Sequence, residues 1–297
     1  MAVDNTNVYW GNNPRGGPTD DAGIVLSSEV VGCAKTGCGG TPVAIATGLA
    51  KDTAGVATDG TNVYISLATA GEVVQCPVAG CGSPIVVAGG QVGPGFIAVD
   101  STGIYWGNAG NVTTTSLMTG SVMTCPLGGC GAGPTTLASD IFPPNAIALD
   151  ATQVYWLSTY DVSSCPKGGC GGTPVMLAHA SASPGIAVDD TNVYWADRGG
   201  TKTSTGSLLR CAKQGCGGAP AALVSGQPSP SFVAVDATSL YWLEGYASTQ
   251  VARCPLPDCA AFSILDGASA ATAFTSDATA LYWADTAGHI YELVKLP

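Results

Sequence analysis

The sequence predicts an all-β fold assembled from copies of one antiparallel unit, and three observations carry that prediction. An aspartate recurs at Asp4, Asp59, Asp100, Asp150, Asp189, Asp236 and Asp277, and a tyrosine follows each after five residues, at Tyr9, Tyr64, Tyr105, Tyr155, Tyr194, Tyr241 and Tyr282. Tryptophan comes next in six copies, with Ile65 in the other. Twelve cysteines fall into six pairs of one spacing, Cys-x4-Cys. Finally, no stretch sustains the 3.6-residue period of a helix, whereas short β-rich runs alternate with Gly, Pro and Asp-x-Thr turns. The aspartates lie 55, 41, 50, 39, 47 and 41 residues apart, a period in the range of propeller blades.

Each unit holds four runs, strands A to D. In the clearest copy strand A is Gly185 to Asp189, and strand B is Thr191 to Trp195. Strand C runs from Gly206 to Cys211, and strand D from Pro220 to Val224. In strand B the Val and Trp point to one face and the Tyr to the other. Both faces are bulky, which suits sheets packed on both sides by neighbouring sheets. The expectation is a single seven-bladed β-propeller domain of four-stranded antiparallel blades, in units of about 1–50, 51–92, 93–142, 143–181, 182–228, 229–269 and 270–297. The last unit has strands A, B and C (Ile290 to Val294) and then stops without its outer strand. Its strand C is expected to be an open edge prone to strand addition, including self-association. A strand D preceding Met1 is the expected natural partner of that edge.

The cysteines pair by spacing as Cys33 with Cys38, Cys76 with Cys81, Cys125 with Cys130, Cys165 with Cys170, Cys211 with Cys216 and Cys254 with Cys259. These pairs read as a disulfide framework, and so as an oxidising compartment. Most are written Cys-Pro/Ala-x-x-Gly-Cys-Gly, with Pro to set φ and Gly to supply positive φ. Closing so short a loop stabilises by roughly 2 kcal/mol. The alternative is metal, but zinc or iron–sulfur sites need about four ligands, so two pairs would have to meet. Only two histidines, His179 and His289, are available to help. No cofactor is expected.

Charged residues make up only 10% of the chain and the net charge is −11, with ten Lys and Arg in all. That balance lacks the basic footprint a phosphate backbone requires, so nucleic acid is a poor partner. No apolar run reaches the length of a membrane span, and no insertion is expected.

The segments Val193-Tyr-Trp-Ala-Asp197, Leu281-Tyr-Trp-Ala-Asp285 and Ile104-Tyr-Trp-Gly-Asn108 resemble the YWTD repeats of low-density-lipoprotein-receptor-type propellers. More broadly the chain is similar to TolB-like and NHL-like bacterial propellers. The resemblance implies an extracellular, non-catalytic, partner-binding module. It departs from the YWTD pattern in having seven units rather than six, and in its Cys-x4-Cys staple. The motif's Asp is kept only at Asp197 and Asp285; Asn12, Leu67, Asn108, Ser158 and Glu244 stand elsewhere.

In a propeller the A–B and C–D turns share one face, and the B–C and D–A loops share the other. The first face repeats: Asp-x-Thr in every copy, the Cys staple in six, and Lys35, Lys167 and Lys213 at one staple position. It reads as architectural, with side-chain-to-backbone turn bonds rather than calcium sites. The second face varies, and variable loops on a rigid scaffold are where binding lives. Its candidate ligand-binding residues are Arg15, Asn108, Tyr160, Asp161, Asp197, Arg198, Glu244, Tyr246 and Asp285. The expected partner is an extracellular protein or polymer, met outside the cell or at its envelope. A self-assembling surface protein is one alternative. A secreted lyase or hydrolase with an acidic site at the channel mouth is another. Against catalysis stand the two histidines, the lack of a Gly-x-Ser-x-Gly elbow, and strands A that read Ile-Ala-Val. All six Trp and seven of ten Tyr belong to the repeat core, so a seven-site lectin is disfavoured, while a single site survives.

Overall fold

In the computed structural model, strand formation follows the hydrophobic alternation of the repeat. The structure describes residues 1–12, 28–49, 53–111, 119–181, 185–199, 206–245, 249–268, 271–285 and 289–295. The protein is an all-β propeller of seven antiparallel blades, and its chain divides into two compact units, Met1–Ile141 and Phe142–Pro297.

The first unit holds three blades. They are β1 (Ala2–Val3), β2 (Asn7–Asn12), β3 (Ser28–Ala34) and β4 (Val43–Leu49); then β5 (Thr53–Thr58), β6 (Asn62–Leu67), β7 (Glu72–Pro77) and β8 (Ile85–Ala88); then β9 (Pro94–Asp100), β10 (Gly103–Asn108), β11 (Gly120–Cys125) and β12 (Thr135–Ile141). The second unit holds four. They are β13 (Pro144–Leu149), β14 (Gln153–Ser158), β15 (Asp161–Pro166) and β16 (Val175–His179); β17 (Ile186–Val188), β18 (Asn192–Asp197), β19 (Gly206–Ala212) and β20 (Ala221–Gln227); β21 (Ser231–Val235), β22 (Ser239–Glu244), β23 (Thr249–Pro255) and β24 (Ser263–Ala268); and β25 (Ala271–Ser276), β26 (Ala280–Asp285) and β27 (Ile290–Val294). Within every blade the strands pair in sequence order, and the last blade has three.

The two-faced strand B organises the core. Tyr194 of one blade packs with Val233, Leu240 and Trp242 of the next, and Tyr64, Tyr155 and Tyr9 do the same with their successors. The Tyr face of a blade is therefore sealed by the Val/Trp face of its neighbour within each unit. Trp106, Trp156, Trp195, Trp242 and Trp283 are essentially inaccessible, and truncating such a residue to Ala costs about 3–5 kcal/mol.

The expected disulfides are all formed. Cys33 is bonded to Cys38, Cys76 to Cys81 and Cys125 to Cys130 in the first unit; Cys165 is bonded to Cys170, Cys211 to Cys216 and Cys254 to Cys259 in the second. Their Cα–Cα separations of 4.9–5.5 Å suit the bond. Each closes the turn that leaves strand C, and strand D begins a few residues later. The second cysteine lies at the rim of the blade: Cys38, Cys81, Cys130, Cys170 and Cys216 are half-buried, while Cys259 is buried. The staples also fill the seam between blades. Cys81 N–H donates to Ile45 O at 2.9 Å, and the sulfurs of Cys211 and Cys216 lie 3.8 and 3.6 Å from Leu177 O. Gly80 shows why glycine precedes the second Cys: its φ is +91°, and an added Cβ would sit 2.9 Å from Ala44 O.

Candidate functional site

In each unit the Asp-x-Thr turns lie at one end of the blades. Asp189 Oδ1 accepts the backbone N–H groups of Thr191 and Asn192, both at 2.7 Å, while its Oδ2 accepts the Tyr194 hydroxyl at 2.6 Å. The same three bonds recur at Asp4, Asp59, Asp150 and Asp277. Burial works against charge on these carboxyls. The accepted hydrogen bonds outweigh it, and Asp4, Asp59 and Asp189 are held below the ordinary carboxylate range. Conversely, burial and then the adjacent carboxylate push the phenols of Tyr9, Tyr64 and Tyr194 up to about 12.

Lysines tie these turns from blade to blade. Lys213 Nζ lies 2.7 Å from Asp150 Oδ2 of the preceding blade, and Lys295 Nζ lies 3.4 Å from Asp236 Oδ2 of the blade before its own. Lys295 holds in the last blade the place of Lys35, Lys167 and Lys213, since each backbone N–H donates to the turn Thr carbonyl of its blade. The carboxylates of Asp4, Asp59, Asp150, Asp189 and Asp277 are thus taken up by backbone and phenol, and those of Asp150 and Asp236 also face lysine.

At the other end of the blades the described residues differ from the third blade to the seventh. Asn108 is buried and donates to Gln91 Oε1 at 3.0 Å and Ser121 Oγ at 3.2 Å, and Gln91 Oε1 also accepts the Trp106 indole at 3.2 Å. Asp197 accepts the Ser181 hydroxyl and the Gly199 N–H. Glu244 is 5% exposed, its carboxyl raised by burial and met by the Trp242 indole at 3.4 Å. Arg198 turns a buried Nε into the protein. In the fourth blade, Ser158 Oγ accepts the N–H groups of Tyr160 and Asp161, making a tight turn. That turn lifts the Tyr160 ring, 48% exposed, against Phe142 at 4.4 Å between centroids, and Asp161 accepts Ser163 Oγ at 2.9 Å.

In the last blade Asp285 gathers a cluster. Its Oδ1 accepts the His289 N–H at 2.9 Å. Its Oδ2 meets His289 Nδ1 at 2.9 Å and accepts the Tyr291 hydroxyl at 3.0 Å. Arg15 and Tyr246 lie outside the described residues. The acidic residues are thus not pooled into one centre: Asp161, Asp197, Glu244 and Asp285 each answer a partner in or beside their own blade. Gln91, Ser181, His289 and Tyr291 are the members that sequence reasoning left out of the site. For His289 the signal was its place four residues after Asp285, a common reach across a loop.

Together these features define a class: a disulfide-stapled β-propeller of antiparallel blades with repeated Asp-x-Thr turns. Known structures of the same architecture match it. A chain in the crystal structure of a nidogen/laminin complex is similar at 18% identity and TM-score 0.56, covering 81% of this chain and 89% of that one. Virginiamycin B lyase from Staphylococcus aureus is similar at 12% identity and TM-score 0.64, covering 98% of this chain and all of that one. A computationally designed protein, Ika8, is similar at 13% identity and TM-score 0.55, covering 90% of this chain and 80% of that one. No family model matches the sequence, and no curated protein does. At these identities the likeness is one of fold.

Proposed function

We propose that this protein is an extracellular or cell-envelope binding module that recognises a protein or polymer through its variable face. The observation that carries the reading is the contrast between the two faces. One repeats the same carboxylate and phenol contacts in five blades and the staple in six; the other presents different side chains among its described residues. Six disulfides support export to an oxidising compartment. The nidogen/laminin likeness supports a propeller that works by contact.

The test compares retention of secreted proteins and cell-surface polymers by the wild type and two variants. One carries alanine at Tyr160, Asp161, Arg198 and Asp285; the other carries it at the exposed turn-face residues Asn5 and Asp190. Loss of a specific partner in the first and retention in the second is expected, and the opposite pattern would overturn the reading.

A second reading, a secreted enzyme, draws on the likeness to a lyase and on the Asp285–His289 contact. Turnover of a secreted small molecule or polymer, abolished by His289→Ala, would carry it. Self-association through β27, the strand of the last blade with no fourth strand beside it among the described residues, is tested by sedimentation across a concentration series.

A further inference from the structure

The hairpin tip of the fourth blade carries a pair of groups that the molecule fills with a cation elsewhere. At the Asp-x-Thr end, Lys213 Nζ lies 2.7 Å from Asp150 Oδ2 and 5.7 Å from the centre of the Tyr155 ring. Lys295 Nζ lies 3.4 Å from Asp236 Oδ2 and 5.2 Å from the centre of the Tyr241 ring. In both places a carboxylate and an aromatic ring of one blade hold a lysine supplied by the next. The ring quadrupole attracts the cation and the carboxylate answers its charge. Tyr160 and Asp161 set the same two groups side by side at the tip between β14 and β15, in a blade that has all four of its strands. Among the described residues no lysine or arginine meets either of them. Asp161 Oδ1 accepts Ser163 Oγ at 2.9 Å, its Oδ2 accepts no hydrogen bond among the described residues, and Tyr160 is 48% exposed.

We propose that Tyr160 and Asp161 form a receptor for an arginine side chain presented by a protein partner; this rests on the variable ends of the blades being the binding side. The pair is built before any partner arrives. Ser158 Oγ accepts the N–H groups of Tyr160 and Asp161 at 3.1 and 3.0 Å, and Tyr160 O accepts the Ala180 N–H at 3.0 Å. Phe142 backs the Tyr160 ring at 4.4 Å between centroids. Little ordering entropy is therefore left to lose on binding. A guanidinium suits the pair better than an ammonium, because its plane stacks on a ring while its fork reaches a carboxylate alongside. It also stays charged throughout the pH range of a folded protein, so the fit does not turn on a titrating partner. The net charge of −11 draws basic segments to the chain and repels acidic ones.

The probe is the blocked peptide acetyl-Gly-Arg-Gly-amide, compared with its citrulline counterpart at fixed ionic strength. Citrulline keeps the shape of arginine and loses its charge. The whole chain, labelled at histidine, is titrated with each peptide and followed by NMR. His179 lies across the strands from Asp161 and reports on the site, whereas His289 is tied to Asp285 in another blade and serves as the control. The arginine peptide is expected to shift His179 saturably and leave His289 in place, with the citrulline peptide weaker by about tenfold. Tyr160→Ala and Asp161→Asn should each weaken binding roughly three- to tenfold, and Tyr160→Phe, which keeps the ring, should retain it. No saturable shift of His179 up to about 20 mM arginine peptide overturns the proposal. So does a citrulline peptide that binds as tightly, and so does binding that survives both Tyr160→Ala and Asp161→Asn. Each of these failures leaves the variable ends as the binding side, which the retention experiment tests by itself. Arginine-peptide binding that is lost instead in the variant with alanine at Asn5 and Asp190 overturns both.

Discussion

Replacing Tyr194 by Phe removes one hydroxyl and leaves the ring packing intact, so it isolates the Asp–Tyr tie of the repeat. The hydroxyl donates to Asp189 Oδ2 at 2.6 Å, and Tyr194 is 1% exposed. Hydrogen bonds to a charged acceptor contribute about 1.5–3 kcal/mol, but Asp189 is only half-buried and water can replace the phenol, which puts the loss near 1 kcal/mol. Asp189→Ala also releases two turn N–H groups and strands the buried phenol, so about 2–3 kcal/mol is expected. Among the described residues the buried Tyr241 hydroxyl makes no well-formed hydrogen bond, lying only near Ser239 and Asp236, and Asp236 also faces Lys295 at 3.4 Å. Tyr241→Phe should therefore be neutral to within about 0.5 kcal/mol, or stabilising. Urea unfolding of the oxidised protein, followed by tryptophan fluorescence, ranks the three variants. A double-mutant cycle of Asp189→Ala with Tyr194→Phe should return a coupling near 1 kcal/mol. Equal costs for Tyr194→Phe and Tyr241→Phe, or a coupling under about 0.3 kcal/mol, would refute the reasoning.

Three further outcomes are expected. Lys213→Met should cost about 1 kcal/mol and shift the midpoint by about 2 °C, because Lys213 and Asp150 are largely covered in their pairing; combination with Asp150→Asn in a thermal melt separates the ion pair from lost packing. Stability should fall on both sides of a plateau. The turn carboxylates, held low in the folded state, contribute above their unfolded value near 4 and lose that contribution as pH falls through the folded value. The phenols of Tyr9, Tyr64 and Tyr194, raised to about 12 from 10.0, contribute fully below pH 10 and lose it as pH rises toward 12, so urea midpoints unchanged between pH 8 and 11 would contradict the geometry. Thiol titration in denaturant should find no free thiol before reduction and twelve after, and the Cys211→Ala/Cys216→Ala pair should lower stability by roughly 2 kcal/mol or more, since it also empties part of a seam between blades.

Much of the fold was legible because its signals are local. Alternation along strand B, the Asp-to-Tyr interval and the Cys spacing each act within one hairpin, so composition and register expose them directly. The turn bonds of Asp189 reach residues two, three and five positions ahead, a distance that a reader of the chain can count. The candidate site was less legible. Asn108 and Glu244 read as solvent-facing loop residues, yet both are buried.

What the amino-acid sequence by itself determined is the blade: its four strands, its turn chemistry, its staple and the two bulky faces that require neighbours. Tertiary structure decided which polar groups stay open to a partner. Asn108 is turned inward by Gln91 and Asp197 by Ser181, residues 17 and 16 positions away on the loop that enters the blade. It also placed the staples in the seams and gave every C–D pair a register shift at the same point along strand C. The physical reason is that a buried hydrogen-bonding group must find its partner wherever packing brings one. The packing of one blade against the next is a property of the assembled sheets, and no local pattern encodes it.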